Sequence, residues 1–162
     1  MEDISVREVT RENWRAALRL TVHPHQQRFV AEYSPIAAVA LAKAYVRPGG
    51  ATWTPYAVYA GAEMVGFLEL AYEPGSAEEY WIFHFFIDQR FQGRGYGALA
   101  LQRLITLVRQ EHPSCATLQL VVHPENHQAQ RLYMRAGFRP TGAERWGEPV
   151  YQLPLARPAL ES

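Results

Sequence analysis

The chain has 162 residues, a formal net charge of zero at pH 7 and 48% hydrophobic residues. That length fits one domain with a proper core, and the lack of a basic excess argues against a nucleic-acid binder. One cysteine and six scattered histidines offer neither an internal disulfide nor metal-ligand spacing, no apolar run reaches membrane-spanning length, and no leader pattern precedes the first strand, so a reducing cytoplasm is the expected setting.

Residues 4–9 alternate and predict a first strand. Thr10 is placed to cap a helix running through Leu20. Residues 25–31 suggest a short helix, and Ser34-Pro35 opens another through Tyr45. Pro48-Gly49-Gly50 predicts a loop. Residues 56–60 and 64–72 flank Gly61-Ala62, a hairpin signal. Residues 80–87 are almost wholly apolar and aromatic and predict a central strand covered on both faces. Leu101, Leu104, Ile105 and Val108 make the apolar stripe of a helix over 95–111. A strand over 116–122 follows, with Cys115 as a small packing residue before it. Then comes a helix over 126–136 stopped by Gly137. Residues 138–144 and 150–155 predict two last strands joined around Gly147, and the tail after Pro154 is expected to be loose. There is no repeat or linker, so residues 1–162 read as one domain with its core over about 4–155.

The junction between the central strand and the long helix is the most informative segment. Gln92-Gly93-Arg94-Gly95-Tyr96-Gly97 has three glycines at alternate positions, followed at once by a helix. Bare backbone amides at a helix start favour an anion, and Arg90 and Arg94 add positive charge beside it. No Gly-Lys-Ser/Thr follows, which excludes a Walker loop. Gly93-Arg94-Gly95-Tyr96-Gly97-Ala98 satisfies G-x-G-x-x-G/A, but no acidic residue stands about 20 residues on, as a dinucleotide fold requires. A plain helix-starting turn needs fewer glycines than these.

The turn also resembles the pyrophosphate signature Q/R-x-x-G-x-G/A of the Gcn5-related N-acetyltransferases, both as Gln92-Gly93-Arg94-Gly95-Tyr96-Gly97 and as the overlapping Arg90-Phe91-Gln92-Gly93-Arg94-Gly95. A second family segment, Asn-x-x-Ala-x-x-Leu-Tyr-x-x-x-Gly-Phe, is matched by residues 126–138, from Asn126 through Ala129, Leu132 and Tyr133 to Gly137-Phe138. The resemblance implies an α/β fold: a single-domain mixed sheet with splayed central parallel strands, here 80–87 and 116–122, flanked by helices. It implies acetyl-CoA as co-substrate, with its pyrophosphate on Gln92, Gly93, Arg94, Gly95, Tyr96 and Gly97 and its pantetheine along the backbone of Phe85, Phe86 and Ile87. Asn126 caps the following helix and is expected to touch the cofactor. Tyr133 takes the family's general-acid position toward the CoA sulfur. On periodicity alone it belongs to the apolar face of Ala129, Leu132 and Ala136.

The general base is read from the residues themselves. Glu79, at the start of the central strand, is the first candidate. His84 interrupts the aromatic strand, where a hydrogen-bonded core histidine is the competing reading. Glu32, Glu69, Glu73, Glu78, Glu144 and Glu148 read mostly as solvated surface, with some needed in the cleft for a cationic acceptor. Pro55-Tyr56-Ala57-Val58-Tyr59 and Val65-Gly66-Phe67, with Trp81 and Phe85-Phe86-Ile87-Asp88, resemble the bacterial spermidine/spermine branch. Where that branch often carries Asp-Arg, this chain has Phe83-His84. The expected partner is therefore a small-molecule amine, a polyamine first. Another small amine, an aminoglycoside or a protein amine are alternatives, as is a non-catalytic acyl-CoA sensor. No nucleic acid, membrane or metal partner is expected, and homodimer formation is left open.

Overall fold

The computed structural model describes residues 3–155. Seven strands form one sheet: β1 (Ile4–Glu8), β2 (Thr52–Ala60), β3 (Glu63–Tyr72), β4 (Tyr80–Ile87), β5 (Thr117–Val121), β6 (Arg139–Arg145) and β7 (Glu148–Pro154). They are ordered β1-β2-β3-β4-β5-β7-β6. Every pairing is antiparallel except β4 with β5, whose ladder is a single register pair, Trp81 with Gln119. Past Trp81 the two parallel strands part, so the β4 edge facing β5 is left without ladder partners. This is the splay expected from the resemblance.

Five helices cover the sheet: α1 (Trp14–Leu18), α2 (Gln27–Val30), α3 (Ile36–Val46), α4 (Tyr96–Glu111) and α5 (His127–Ala136). Strand alternation sorts β3 cleanly. Leu68 and Leu70 join Leu101, Leu104, Val108 and Phe138 in the core beneath α4 and α5. Phe67 joins Ala17, Ile36, Ala37, Ala40 and Phe86 in the core beneath α1 and α3. Both cores exclude water, the main favourable term for folding.

Some boundaries moved. The first helix starts at Trp14, not after Thr10, and ends at Leu18. Asn13 explains the late start: its Oδ1 accepts from the Thr10 amide at 2.7 Å and its Nδ2 donates to Glu8 O and the Tyr59 hydroxyl, closing a turn over 10–13 instead of a helical one. Residues 24–26 form a 3₁₀ turn before α2, and 48–50 form another. β2 begins at Thr52, well before residue 56. Phe138 precedes β6 and is fully buried. Leu155 is not loose: it is buried, and its amide donates to Ala116 O at 2.7 Å. The rest of the expected loose tail lies outside the described residues.

One irregularity matters for the site. Phe67 pairs with Phe86 and Glu69 with Phe83, so His84 and Phe85 together oppose Leu68. This is a β-bulge, with His84 at φ 54°. It lies beside the point where β4 leaves β5.

Candidate active site

The turn after β4 is built around Asp88, whose carboxylate is 1% exposed. It accepts from the Thr21 amide at 2.9 Å, the Arg90 amide at 3.0 Å and Arg90 Nε at 2.8 Å. Burial works against the charged form, but the Arg90 side chain and the two amides outweigh it, and the carboxyl titrates below its usual range. Gln92 turns inward: its Nε2 donates to Ile87 O at 2.9 Å and to the Gln26 side chain at 3.0 Å. Gln92 therefore braces the turn.

Beyond it, Gly93 (φ 80°) and Gly95 (φ 83°) take left-handed conformations that side chains resist. A Cβ on either would meet no protein atom within 4 Å. The surface over the turn is bare backbone at the N-terminus of the 16-residue α4, with the exposed Arg94 beside it. A diphosphate fits that surface. Tyr96 opens α4. Gly97 lies against α5, where an added Cβ would stand at ordinary contact distance, 3.5 Å from Leu132 Cδ2.

A cleft of ≈ 1110 Å³ opens where β4 and β5 part. Glu79, His84, Phe85, Asn126 and Tyr133 all line it, whereas the glycine turn lies past the end of β4, outside the lining. Tyr133 is buried among rings, 6.3 Å from Phe85 and 5.8 Å from Phe138 by centroid. Burial pushes its phenol pKa up. Asn126 caps α5, accepting from the Ala129 amide at 3.3 Å. The Phe86 side chain is core, its ring centroid 6.0 Å from that of Phe67, and its carbonyl lies against Gly66 of β3, so Phe86 is not part of the cleft lining.

The two base candidates stand apart. Glu79 lies six residues before Phe85, up to about 20 Å along the strand. It accepts from Trp81 Nε1 at 3.3 Å and pairs with Arg145 at 3.8 Å. His84 sits at the bulge with both ring nitrogens engaged. Nδ1–H donates to Val30 O at 2.7 Å, which leaves Nε2 to accept from Lys43 Nζ at 3.0 Å. Burial first, then the Lys43 charge, holds the imidazole down to about 4. His84 is thus hydrogen-bonded at both ring nitrogens while half-buried in the wall of the cleft.

Sequence reasoning missed the groups around it. Glu69 is fully buried, not surface, and both its oxygens lack a hydrogen-bond partner among the described residues. Burial raises it to about 8 against the opposing charge of Lys43. Burial also lowers Lys43, against the pull of Glu69 and Glu32. A lone carboxylate inside the apolar run of residues 64–71 was the available signal for Glu69. Lys43 is also seated over Trp53 and Phe83, at 5.0 and 5.3 Å from their ring centroids. Glu32, Glu73 and Glu148 line the cleft; Glu78 and Glu144 do not.

Comparison with known proteins bears on this geometry. The acetyltransferase (GNAT) family matches residues 5–138. A spermine/spermidine N(1)-acetyltransferase of Bacillus subtilis (strain 168) is 30% identical over 144 residues, covering 86% of this chain and 90% of that protein. Among solved structures, an acetyltransferase of Salmonella typhimurium that modifies the N-terminal serine of ribosomal protein L7/L12 superposes with a TM-score of 0.71. It is 19% identical, with 94% of this chain and 95% of that one covered. A spermidine N-acetyltransferase of Vibrio cholerae, in complex with CoA and spermine, gives a TM-score of 0.70 at 16% identity, covering 93% of this chain and 95% of that one. At those identities the two structures share the fold.

Proposed function

Because the chain belongs to the GNAT family of acetyltransferases and is an acetyl-CoA-dependent N-acetyltransferase, we propose that its acceptor is a primary amine of a polyamine such as spermidine or spermine. The observation that carries this reading is the cleft's unpaired carboxylates, since its cations Arg28, Lys43 and Arg145 are engaged by Glu125, His84 and Glu79. Glu32, Glu73 and Glu148 line the cleft without an ion pair among the described residues, beside the aromatic walls of Trp53, Trp81 and Phe83. Carboxylates and π faces both favour a multiply cationic chain. The B. subtilis relative supports the same reading.

Acetyl-CoA supplies an activated acyl thioester when bound. The amides of residues 93–97 and the Arg94 charge hold the diphosphate. The β4 edge at Phe85–Ile87 faces no strand and, apart from Ile87 O, which Gln92 already occupies, offers hydrogen bonds to the pantetheine amides. Asn126 fixes the start of α5, and α5 carries Tyr133 to the wall facing Phe85. There the phenol protonates the departing thiolate sulfur as the amine attacks directly. His84 Nε2 is already taken by Lys43, and Glu79 lies up the strand. The amine therefore reacts from its neutral fraction, its surplus proton passing to water in the open cleft.

An amine panel read by CoA release tests the assignment. Spermidine and spermine should be acetylated best at alkaline-leaning pH, because amines titrate near 10. Their KM should rise with ionic strength, because exposed charge pairing is screened by salt. Clear turnover of an aminoglycoside or a peptide amine with no polyamine turnover would overturn the acceptor and leave the acetyltransferase in place.

A further inference from the structure

Three of the chain's four tryptophans converge on one end of the cleft. Trp53 and Phe83 stand 4.9 Å apart, Phe83 and Trp146 5.3 Å, and Trp146 and Trp81 5.2 Å, by ring centroid. The four rings make a continuous belt across β2, β4 and the hairpin between β6 and β7.

The belt already holds cations. Lys43 sits on Trp53 and Phe83. The Arg145 guanidinium lies 4.6 Å from the Trp81 centroid and 4.4 Å from that of Trp146. The two ends differ in how firmly the cation is held. Lys43 is tied down by His84. Arg145 is 46% exposed, and its carboxylate partner among the described residues, Glu79, is at 3.8 Å and itself 50% exposed. Exposed pairs of that kind contribute very little.

Trp146 is an unusual residue at this place. It is 57% exposed at the hairpin tip with φ 54°, a left-handed backbone that an indole resists. The two-residue hairpin turn accounts for the backbone, since Gly147 beside it also has a positive φ of 78°, and what it presents is an exposed indole facing the buried Trp81. Glu79 supplies a charge at the same point, oriented by the Trp81 indole N–H.

Resting on the polyamine reading, we propose that the Trp81–Trp146 pair with Glu79 is the subsite for the acceptor's far ammonium, and that Arg145 sets specificity by competing for the same faces. Trp81 precedes Phe85 by four residues, at most about 13 Å of strand with the His84 bulge between them. An acceptor with its reacting amine beside Phe85 and Tyr133 needs a second ammonium near that distance to reach the pair. Triamines and tetraamines span it, whereas a short diamine falls well short. The subsite thus favours long polyamines over short ones.

Steady-state kinetics with spermidine, putrescine and butylamine test the proposal in wild type, Trp146→Leu, Arg145→Ala and Arg145→Lys. All three changes are at the exposed hairpin tip. Trp146→Leu should raise the spermidine KM about 3- to 30-fold, the range one cation–π contact supplies. Arg145→Ala should lower it, and Arg145→Lys should stay near wild type. Butylamine, with no second charge, should move much less in each. Equal shifts for spermidine and butylamine, in a wild-type enzyme that turns over spermidine, overturn the subsite alone. No polyamine turnover by wild type overturns the acceptor reading beneath it.

Discussion

Tyr133 shows what a single residue contributes here. Its ring is packed by Phe85 and Phe138, while the residue lines the cleft. Burial raises the phenol pKa, which weakens it as an acid toward a thiolate but keeps it protonated in alkaline solution. The proton stays on the oxygen at the alkaline pH where the acceptor amine becomes neutral, so donor and nucleophile are ready together. Tyr133→Phe keeps the ring and strands no hydrogen-bond partner among the described residues, so the fold should survive. Turnover should fall about 10²- to 10⁴-fold, the usual contribution of general acid catalysis. Acetyl-CoA affinity, measured by direct titration, should change little, and kcat and kcat/KM should fall together. Unchanged turnover with chemistry rate-limiting would return Tyr133 to a packing role. The residue was legible because its motif fixes the neighbours of an otherwise ordinary helical face. Arg145 and Trp146 were not, because cation–π stacking across a hairpin leaves no spacing in the sequence.

At the scale of elements, the β4–turn–α4 unit was read nearly to the residue, because glycine spacing and helical periodicity are local properties. The start of α1 was not. The Asn13 side chain closes the preceding turn by reaching back to Thr10 and across to β2, and the second contact spans 46 residues. The β4 bulge at His84 was likewise hidden, since it exists only relative to β3. Asp88 is the internal support of the glycine turn, tying it to Thr21 as well as Arg90. Asp88→Ala leaves the Thr21 and Arg90 amides without their acceptor. Chemical denaturation should show a loss of about 1–3 kcal/mol, the cost of orphaned donors. With the turn loosened, acetyl-CoA should bind more weakly than to wild type while the acceptor KM changes less. Wild-type acetyl-CoA affinity in a folded Asp88→Ala protein would separate the turn's support from its binding role.

Across the whole molecule, α3, β3 and β4 meet at Lys43, Glu69 and His84, and this trio makes stability depend on pH in two opposed ways. No part of it was legible: a carboxylate in a strand, a lysine 26 positions earlier and a histidine 15 later become neighbours only in the fold. Glu69 titrates at about 8 in the folded chain against an ordinary 4.5. Between those values the folded state keeps a proton that the unfolded state has lost, so stability falls as pH rises through the window and the cost is complete above about 8. His84 titrates at about 4 against an ordinary 6.5. There the unfolded state holds the extra proton, so stability falls as pH drops from 6.5 toward 4. Between 4.5 and 6.5 the two slopes cancel, and these groups alone place a plateau there. Glu69→Gln removes the first slope together with the pull of Glu69 on Lys43, while the titrations away from this trio stay common to both proteins. The unfolding free energy of the variant minus that of wild type should therefore climb from pH 5 to about pH 8, by at most about 1.4 kcal/mol per unit, and level off beyond. Urea denaturation of both proteins at pH 5, 6.5, 8 and 9 measures that difference. A flat difference would mean that Glu69 ionises in the folded chain as it does in water, against the desolvation its burial demands.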